Sequence, residues 1–440
     1  MTDRPLTILF WPESAYGPTN QCVGIGKVLL DRGHRVVFAA ESSWKGKLEP
    51  LGFGEELVDL AAPPEDSGDG EEEDAGAFWK EFIRETAPEF RKPTIEQLST
   101  FIQPTFQALI DGAVYCEPRL REIIERVKPD VIVEDNVVCF PATVTANAPF
   151  VRIVSCNPLE MKGPGVAPTF SGYPQADSSA WDEFRSEFVR ATGEMWKKFN
   201  DFVVASGAPA LPEGEFIHTS DVANLYVYPQ EADYVAERPL DATWMRMDSS
   251  VRSTDAPYEM PAKVKERPEG SALIYLSLGS LGSADVDLMK RLIDVLGRTP
   301  HRFIVSKGPQ HTDYELAENM VGEEFLPQIK IIPEVDLVIT HGGNNTITEA
   351  LHFGKPTIVL PLFWDQYDNA QRMDELGFGK RLATYAFTDE EMTEALDTLL
   401  GDSDLQARMA ANAAAIQARK GTEVGADVIE KVARDYASSP

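Results

Sequence analysis

Residues 325–372 read FLPQIKIIPEVDLVITHGGNNTITEALHFGKPTIVLPLFWDQYDNAQR, and this stretch holds the densest group of turn-forming and polar residues in the chain. The apolar run at residues 335–340 is typical of a buried strand, residues 341–345 form a glycine-containing turn, and residues 346–353 have helical spacing. The first turn of a helix carries unpaired N–H groups and a partial positive charge, so it can hold a phosphate without a metal. The stretch therefore predicts a strand, an anion-binding turn and a helix.

Polar side chains around this turn indicate further ligand groups. Asn345 and Glu349 lie one turn apart on the predicted helix and therefore share one face. Asp365 and Gln366 follow the next predicted strand, residues 356–360, at the end of the strand where open α/β sheets bind ligands. These groups suit the hydroxyls of a sugar, although a Gly-Gly turn is also typical of an ordinary strand-to-helix connection.

Composition bounds the class of protein. The 440 residues, 43% of them hydrophobic, are too many for one ordinary domain, so we expect two. The net charge of −30 disfavours nucleic acid and anionic membranes as partners, and the acid-rich residues 65–74 are expected to form a solvated loop. Without a membrane-length apolar run, a signal-peptide pattern or clustered cysteines, the chain predicts a cytoplasmic protein.

Alternating strand and helix patterns fill the chain. In the first half, strands are predicted at residues 6–11, 35–39, 131–133 and 151–154, and helices at 20–32, within 75–127 and at 181–204. Asp135 closely follows one of these strands and is a candidate site residue. A linker at residues 237–270 precedes a second unit with strands at 272–276 and 302–305, and helices at 285–296, 390–400, 405–419 and 423–437. Two Asp-x-Asp sequences, beginning at Asp285 and Asp402, could hold a metal but are better explained as helix starts.

The order of these signals resembles the donor signature of nucleotide-sugar-dependent glycosyltransferases of the family 1 type, in particular bacterial enzymes that glycosylate natural products such as macrolides. An earlier Gly-Ser turn of the chain also matches the family. The matching residues are Gly279, Ser280, Phe325, Pro327, Gln328, His341, Gly343, Asn345, Thr346, Glu349, Pro361, Asp365 and Gln366.

The resemblance implies the GT-B fold, an α/β architecture of two facing Rossmann-like domains with a cleft between them. Residues 1–240 would bind the acceptor, partly through the irregular region 157–204, and residues 241–420 would bind the donor. The C-terminal helix, at about 421–440, would pack back on the first domain.

The resemblance also implies a role for each matching residue. Phe325 and Gln328 would hold the nucleoside, and Glu349 the ribose hydroxyls. Asp365 and Gln366 would hold the transferred sugar. The turn residues Gly279, Ser280, His341, Gly343, Asn345 and Thr346 would face the diphosphate. The UDP-sugar would be a co-substrate, with no metal or other cofactor.

One expected catalytic residue is missing. Tyr16 stands where the family has its catalytic histidine, and Asp135 matches the acid that orients that histidine. The resemblance implies inverting transfer, with glucose from UDP-glucose as the expected sugar, to a small and largely apolar acceptor. Because a phenol is a poor base at neutral pH, we expect this acceptor to be phenolic or another acidic or soft nucleophile. The alternatives are a catalytically silent nucleotide-sugar-binding relative or helper protein, and a sugar-nucleotide epimerase. The sequence does not indicate an oligomeric state.

Overall fold

The computed structural model describes residues 4–62 and 84–438, so the predicted acidic loop at 65–74 lies outside the described residues. Its first sheet is parallel throughout and has the strand order β3-β2-β1-β4-β5-β6-β7. The strands are β1 Thr7–Pro12, β2 Arg35–Glu41, β3 Gly54–Val58, β4 Val131–Asp135, β5 Phe150–Val154, β6 Asn224–Val227 and β7 Trp244–Met247.

The second sheet is also parallel and has the order β10-β9-β8-β11-β12-β13. Its strands are β8 Leu273–Ser277, β9 Arg302–Ser306, β10 Met320–Glu323, β11 Leu337–Thr340, β12 Thr357–Val359 and β13 Gly379–Arg381. In both sheets the chain therefore begins with a central strand, adds strands outward to one edge, and then crosses back to add strands on the other side. This is the doubly wound Rossmann order, so the predicted α/β fold with two Rossmann-like units is confirmed.

Helices cover both faces of the sheets. The longer ones are α1 Tyr16–Asp31, α2 Gln103–Val127, α3 Trp181–Ala205, α4 Val286–Gly297, α5 Asn344–His352, α6 Gln366–Glu375, α7 Asp389–Gly401, α8 Ser403–Ala418 and α9 Gly421–Ala437. Asp285 accepts a hydrogen bond from the N–H of Leu288 at 3.1 Å and Asp402 one from Leu405 at 2.8 Å, so each caps a helix. The helix-start interpretation of both Asp-x-Asp sequences is confirmed.

The ends of the two units are interleaved in sequence. The last helix, α9, lies on α1, where Arg32 donates to Asp427 at 2.7 Å and to Glu430 at 3.0 Å. Strand β7 belongs to the first sheet although it begins beyond residue 240, where we placed the end of the first domain. The assignment of one unit to the acceptor and the other to the donor stays a prediction.

Several elements were missed by the sequence patterns: β3, β6, β7, β10, β13 and α6. Each missed strand is short and most lie at or near the edge of a sheet, where a chain needs fewer apolar residues. No helix within residues 4–62 and 84–438 is long and apolar enough to cross a membrane.

Candidate active site

The two units turn their binding edges toward each other. In each sheet the strand order reverses at one point, between β1 and β4 in the first and between β8 and β11 in the second. Ligands of open α/β sheets bind outside the carboxyl ends of strands at such a point. A Cβ added at Gly17 in α1 would lie 3.8 Å from Cβ of Asn345, so the N-terminal turns of α1 and α5 meet across the cleft.

The turn after β11 packs its histidine between two glycines. A Cβ at Gly279 would lie 3.0 Å from Cε1 of His341, and one at Gly343 would lie 2.6 Å from its Nε2. Gly279 also has a φ of 68°, and Ser280 follows it in the short helix Gly279–Ser283. Burial lowers the pKa of His341 to about 4, so the imidazole is neutral at neutral pH. The structure thus brings the predicted diphosphate residues together at the start of α5.

Glu349 lies at the centre of a hydrogen-bonded group and is 1% exposed. Its Oε2 accepts from Nε2 of Gln328 at 2.6 Å, and its Oε1 accepts from Nδ2 of Asn345 at 3.1 Å. The same Gln328 amide donates to Oγ1 of Thr346 at 3.2 Å. Burial raises the pKa of Glu349, while the nearby guanidinium of Arg252 lowers it.

Arg252 was missed by the sequence reasoning. Its Nη1 donates to Oε1 of Glu349 at 2.9 Å, and its Nη2 donates to Asp255 at 2.8 Å. It lies in the predicted linker, where the family signature has no match and nothing in the local sequence marks a site. The fold alone brings this cation to the carboxylate.

Asp365 and Gln366 lie where β12 gives way to α6. Oε1 of Gln366 accepts from the N–H of Leu362 at 3.1 Å and of Phe363 at 3.3 Å, which leaves its Nε2 amide group for a ligand. Oδ2 of Asp365 accepts from the N–H of Asn157 at 2.8 Å, and burial raises the pKa of Asp365 to about 7. This contact joins the two units directly beside the predicted sugar site.

Phe325 and Tyr16 face each other across the cleft. Their ring centroids are 6.3 Å apart, and the Phe325 side chain is 54% exposed, which suits a stacking surface for a base. The ring centroids of Tyr16 and Trp44 are 5.2 Å apart, and Nζ of Lys47 donates to the Tyr16 hydroxyl at 3.4 Å.

Asp135 lies in a different environment. It is 3% exposed, and its Oδ1 accepts from the hydroxyl of Ser155 at 2.8 Å while Sγ of Cys22 lies 3.9 Å from Oδ2. Burial raises the pKa of Asp135 to about 8. Among the hydrogen bonds of the described residues, none joins the side chains of Asp135 and Tyr16, whereas the carbonyl of Asp135 accepts from the N–H of Glu13 at 2.7 Å. The catalytic roles of both residues stay predictions.

A cavity of about 180 Å³ opens at the switch point of the first sheet. It is lined by residues at the ends of β1, β2 and β4 and by one face of α2, including Trp11, Glu13, Glu41, Leu109, Val138 and Phe140. None of residues 157–204 lines this cavity, whereas Glu183, Ser186, Glu187 and Arg190 line a second cavity beside residues 95–100. The expectation that residues 157–204 shape an acceptor pocket stays a prediction. The start of that region contacts the second unit, where the N–H groups of Phe170 and Gly172 donate to Asp368 at 2.7 and 2.8 Å.

Residues 245–410 match the family model described as "UDP-glucoronosyl and UDP-glucosyl transferase". Over 434 residues the chain is 24% identical to the oleandomycin glycosyltransferase of Streptomyces antibioticus, an alignment that covers 97% of this chain and 90% of that one. Residues 245–410 therefore belong to this family of glycosyltransferases, and the chain as a whole aligns with one such enzyme. The resemblance to family 1 enzymes of bacterial natural-product type is thereby confirmed, and so is the prediction that the protein is an enzyme.

Solved structures agree with the fold of this glycosyltransferase. The glycosyltransferase of kitacinnamycin superposes with a TM-score of 0.68 at 20% identity, covering 98% of this chain and 99% of that one. The glycosyltransferase VinC, solved in complex with DTDP, has a TM-score of 0.65 at 17% identity and covers 98% of this chain and 100% of that one. The GT-B architecture is therefore confirmed. The family match at residues 245–410 supports a nucleotide sugar as the co-substrate.

Proposed function

We propose that this enzyme transfers glucose from UDP-glucose, with inversion, to a small and largely apolar acceptor. The observation that carries the proposal is the opposition of two switch points, an apolar cavity at β1 and β4 and a diphosphate turn at β8 and β11. The acceptor oxygen would attack the anomeric carbon from the cavity side. The bond to the diphosphate would break on the other side, and the leaving charge would meet the N-terminus of α5.

The charge of the cavity lining favours some of the expected acceptors over others. Glu13 and Glu41 are the charged side chains among the described residues that line it, and both are acids. A carboxylate acceptor would be repelled there, whereas a phenol or an aromatic amine would not. We therefore propose a phenolic or amine acceptor with an apolar body.

The neutral His341 and the buried Glu349 support a donor site that works without a metal. An imidazole beside two glycine backbones and a helix N-terminus can hold a diphosphate through hydrogen bonds alone. Independence from metals and location in the cytoplasm stay predictions.

The test is incubation of the protein with UDP-glucose and a mixed panel of phenols, aromatic amines, carboxylates and alcohols, followed by mass spectrometry and NMR of the anomeric proton. We expect new β-glucosides of phenols or amines, and the same yield in EDTA. No product of any kind would support the silent relative, and an altered free sugar nucleotide would support the epimerase. A product of retained anomeric configuration would overturn the inverting mechanism.

A further inference from the structure

The cavity at the first switch point holds an acid that no family motif marks. Glu13 directly follows β1, and its carboxylate accepts from the N–H of Ala15 at 3.0 Å and from the hydroxyl of Ser14 at 3.2 Å. These two bonds fix the carboxylate at the start of α1. An ionised carboxylate has about four acceptor positions, so these bonds leave it able to accept from a molecule in the cavity.

Glu13 also carries no counter-charge. Within the described parts of the chain, no lysine, arginine or histidine forms an ion pair with it. Two acids lie near it instead: Glu41, at the end of β2, lines the same cavity, and Asp135 is the last residue of β4. Burial raises the pKa of Glu13, the charge of Glu41 raises it further, and the bonds from Ala15 and Ser14 lower it. A carboxyl group with a raised pKa is a better general base at neutral pH than an exposed glutamate.

The two residues suggested by the family pattern are less well situated. Asp135 is sealed behind Ser155 and Cys22 and is not among the residues that line the cavity. The hydroxyl of Tyr16 is directed to Lys47 rather than to the cavity. The 13–17 segment lines the cavity through Glu13 and contacts Asn345 of the donor helix through Gly17.

We propose that Glu13 is the general base of the transfer. The proposal rests on the proposed function, because it requires an acceptor hydroxyl or amine in the cavity. The Glu13 carboxylate takes the proton of the acceptor, and the acceptor lone pair forms the new bond to the anomeric carbon. The bond from that carbon to the diphosphate breaks, and its electron pair leaves with the nucleoside diphosphate. Glu13 then returns the proton to solvent.

The experiment compares the wild type with Glu13→Gln, Glu13→Asp and Asp135→Asn on a series of phenols of graded acidity. Glutamine keeps an oxygen that can accept from Ala15, so the turn and the melting temperature should be preserved. We expect Glu13→Gln to lower kcat by about a hundred- to ten-thousand-fold on weakly acidic phenols and by less on strongly acidic ones. The dissociation constant for UDP should be unchanged, and the acidic limb of the pH profile of kcat should disappear.

Further variants separate a chemical role from a structural one. Glu13→Asp should retain part of kcat and keep the acidic limb, and Glu41→Gln should move the limb to lower pH because it removes a neighbouring negative charge. A wild-type pH profile and kcat in Glu13→Gln, or loss of the limb in Asp135→Asn instead, would overturn the proposal while leaving the transferase function intact. A wild type that forms no glycoside would overturn the function itself and the base with it.

Discussion

Glu349 illustrates how one buried acid organises the donor site. Three side chains donate to it, and one of them, Arg252, also holds Asp255. Removing the acid leaves part of the largely buried Arg252 guanidinium without an acceptor and leaves the Gln328 amide with the Thr346 hydroxyl alone. Such a loss costs roughly 1–3 kcal/mol. The carboxylate therefore has a structural task in addition to its expected contact with the ribose.

We predict that Glu349→Ala and His341→Ala each weaken the binding of UDP by about 1–3 kcal/mol, as measured by calorimetry. Arg252→Ala should weaken it as well, because the buried carboxylate then lacks its cation. A matched control is Arg267→Ala, whose guanidinium pairs with Asp336 at an exposed position. UDP affinity that falls equally in the control would assign the effect to general destabilisation.

The residues of the donor site could be found from the sequence because their chemistry is local. His341, Asn345 and Glu349 lie on one turn and one helix, so their spacing already predicts a common face. Arg252 and Glu13 could not be found in this way. Arg252 contacts Glu349 only because of how the linker packs. Glu13 comes directly after β1, and an acid at the end of a strand is the signal that marked Asp135. The same signal, applied to β1, would have identified Glu13.

At the scale of elements, long helices and central strands were predicted within a few residues, since each has a continuous apolar face. Helix α5 was expected at 346–353 and spans Asn344–His352. The edge strand β7, Trp244–Met247, was missed within the predicted linker because three of its four residues are only partly buried and the strand is defined only by its pairing with β6. The sequence of one segment alone does not show which distant segment it pairs with.

Strand β4 ends in two buried acids, and this has a consequence for stability. Burial raises the pKa of Glu134 and of Asp135 to about 8 each, whereas exposed acids of these types titrate near pH 4. Between about pH 4 and about pH 8 the folded chain therefore holds protons that the unfolded chain has released. The free energy of unfolding falls as pH rises through this window.

We predict that the melting temperature followed by circular dichroism falls between about pH 5 and about pH 8, and that Asp135→Asn makes this fall less steep. The control is Asp130→Asn, at the other end of β4. Hydrogen bonds from Arg4 and from the N–H of Thr7 lower the pKa of Asp130 against the opposing effect of burial, so its titration lies below the window. An equal pH slope in the wild type and both variants would contradict this assignment.

At the scale of the whole molecule, polar contacts of α6 help to join the two units. Arg372 donates from Nε to the carbonyl of Ala232 and from Nη2 to that of Asp233, both at 2.7 Å, and its guanidinium lies 4.2 Å from the ring centroid of Tyr234. The predicted sugar residue Asp365 lies just before the same helix and accepts from Asn157. The contact that holds the units together is therefore continuous with the donor site.

We predict that Arg372→Lys loosens this joint, because a lysine cannot donate in two fixed directions or stack as a planar group. Loss of one such buried contact costs roughly 1–3 kcal/mol. The single transition expected for the wild type in differential scanning calorimetry should broaden or divide, and kcat should fall while the affinity for free UDP changes little. Arg298→Lys is the matched control, since Arg298 pairs with Asp294 and Asp389 within the second unit only. A transition in Arg372→Lys that coincides with that of the control would show that α6 does not couple the two units, and closure of the cleft would then have to depend on α9 and the linker.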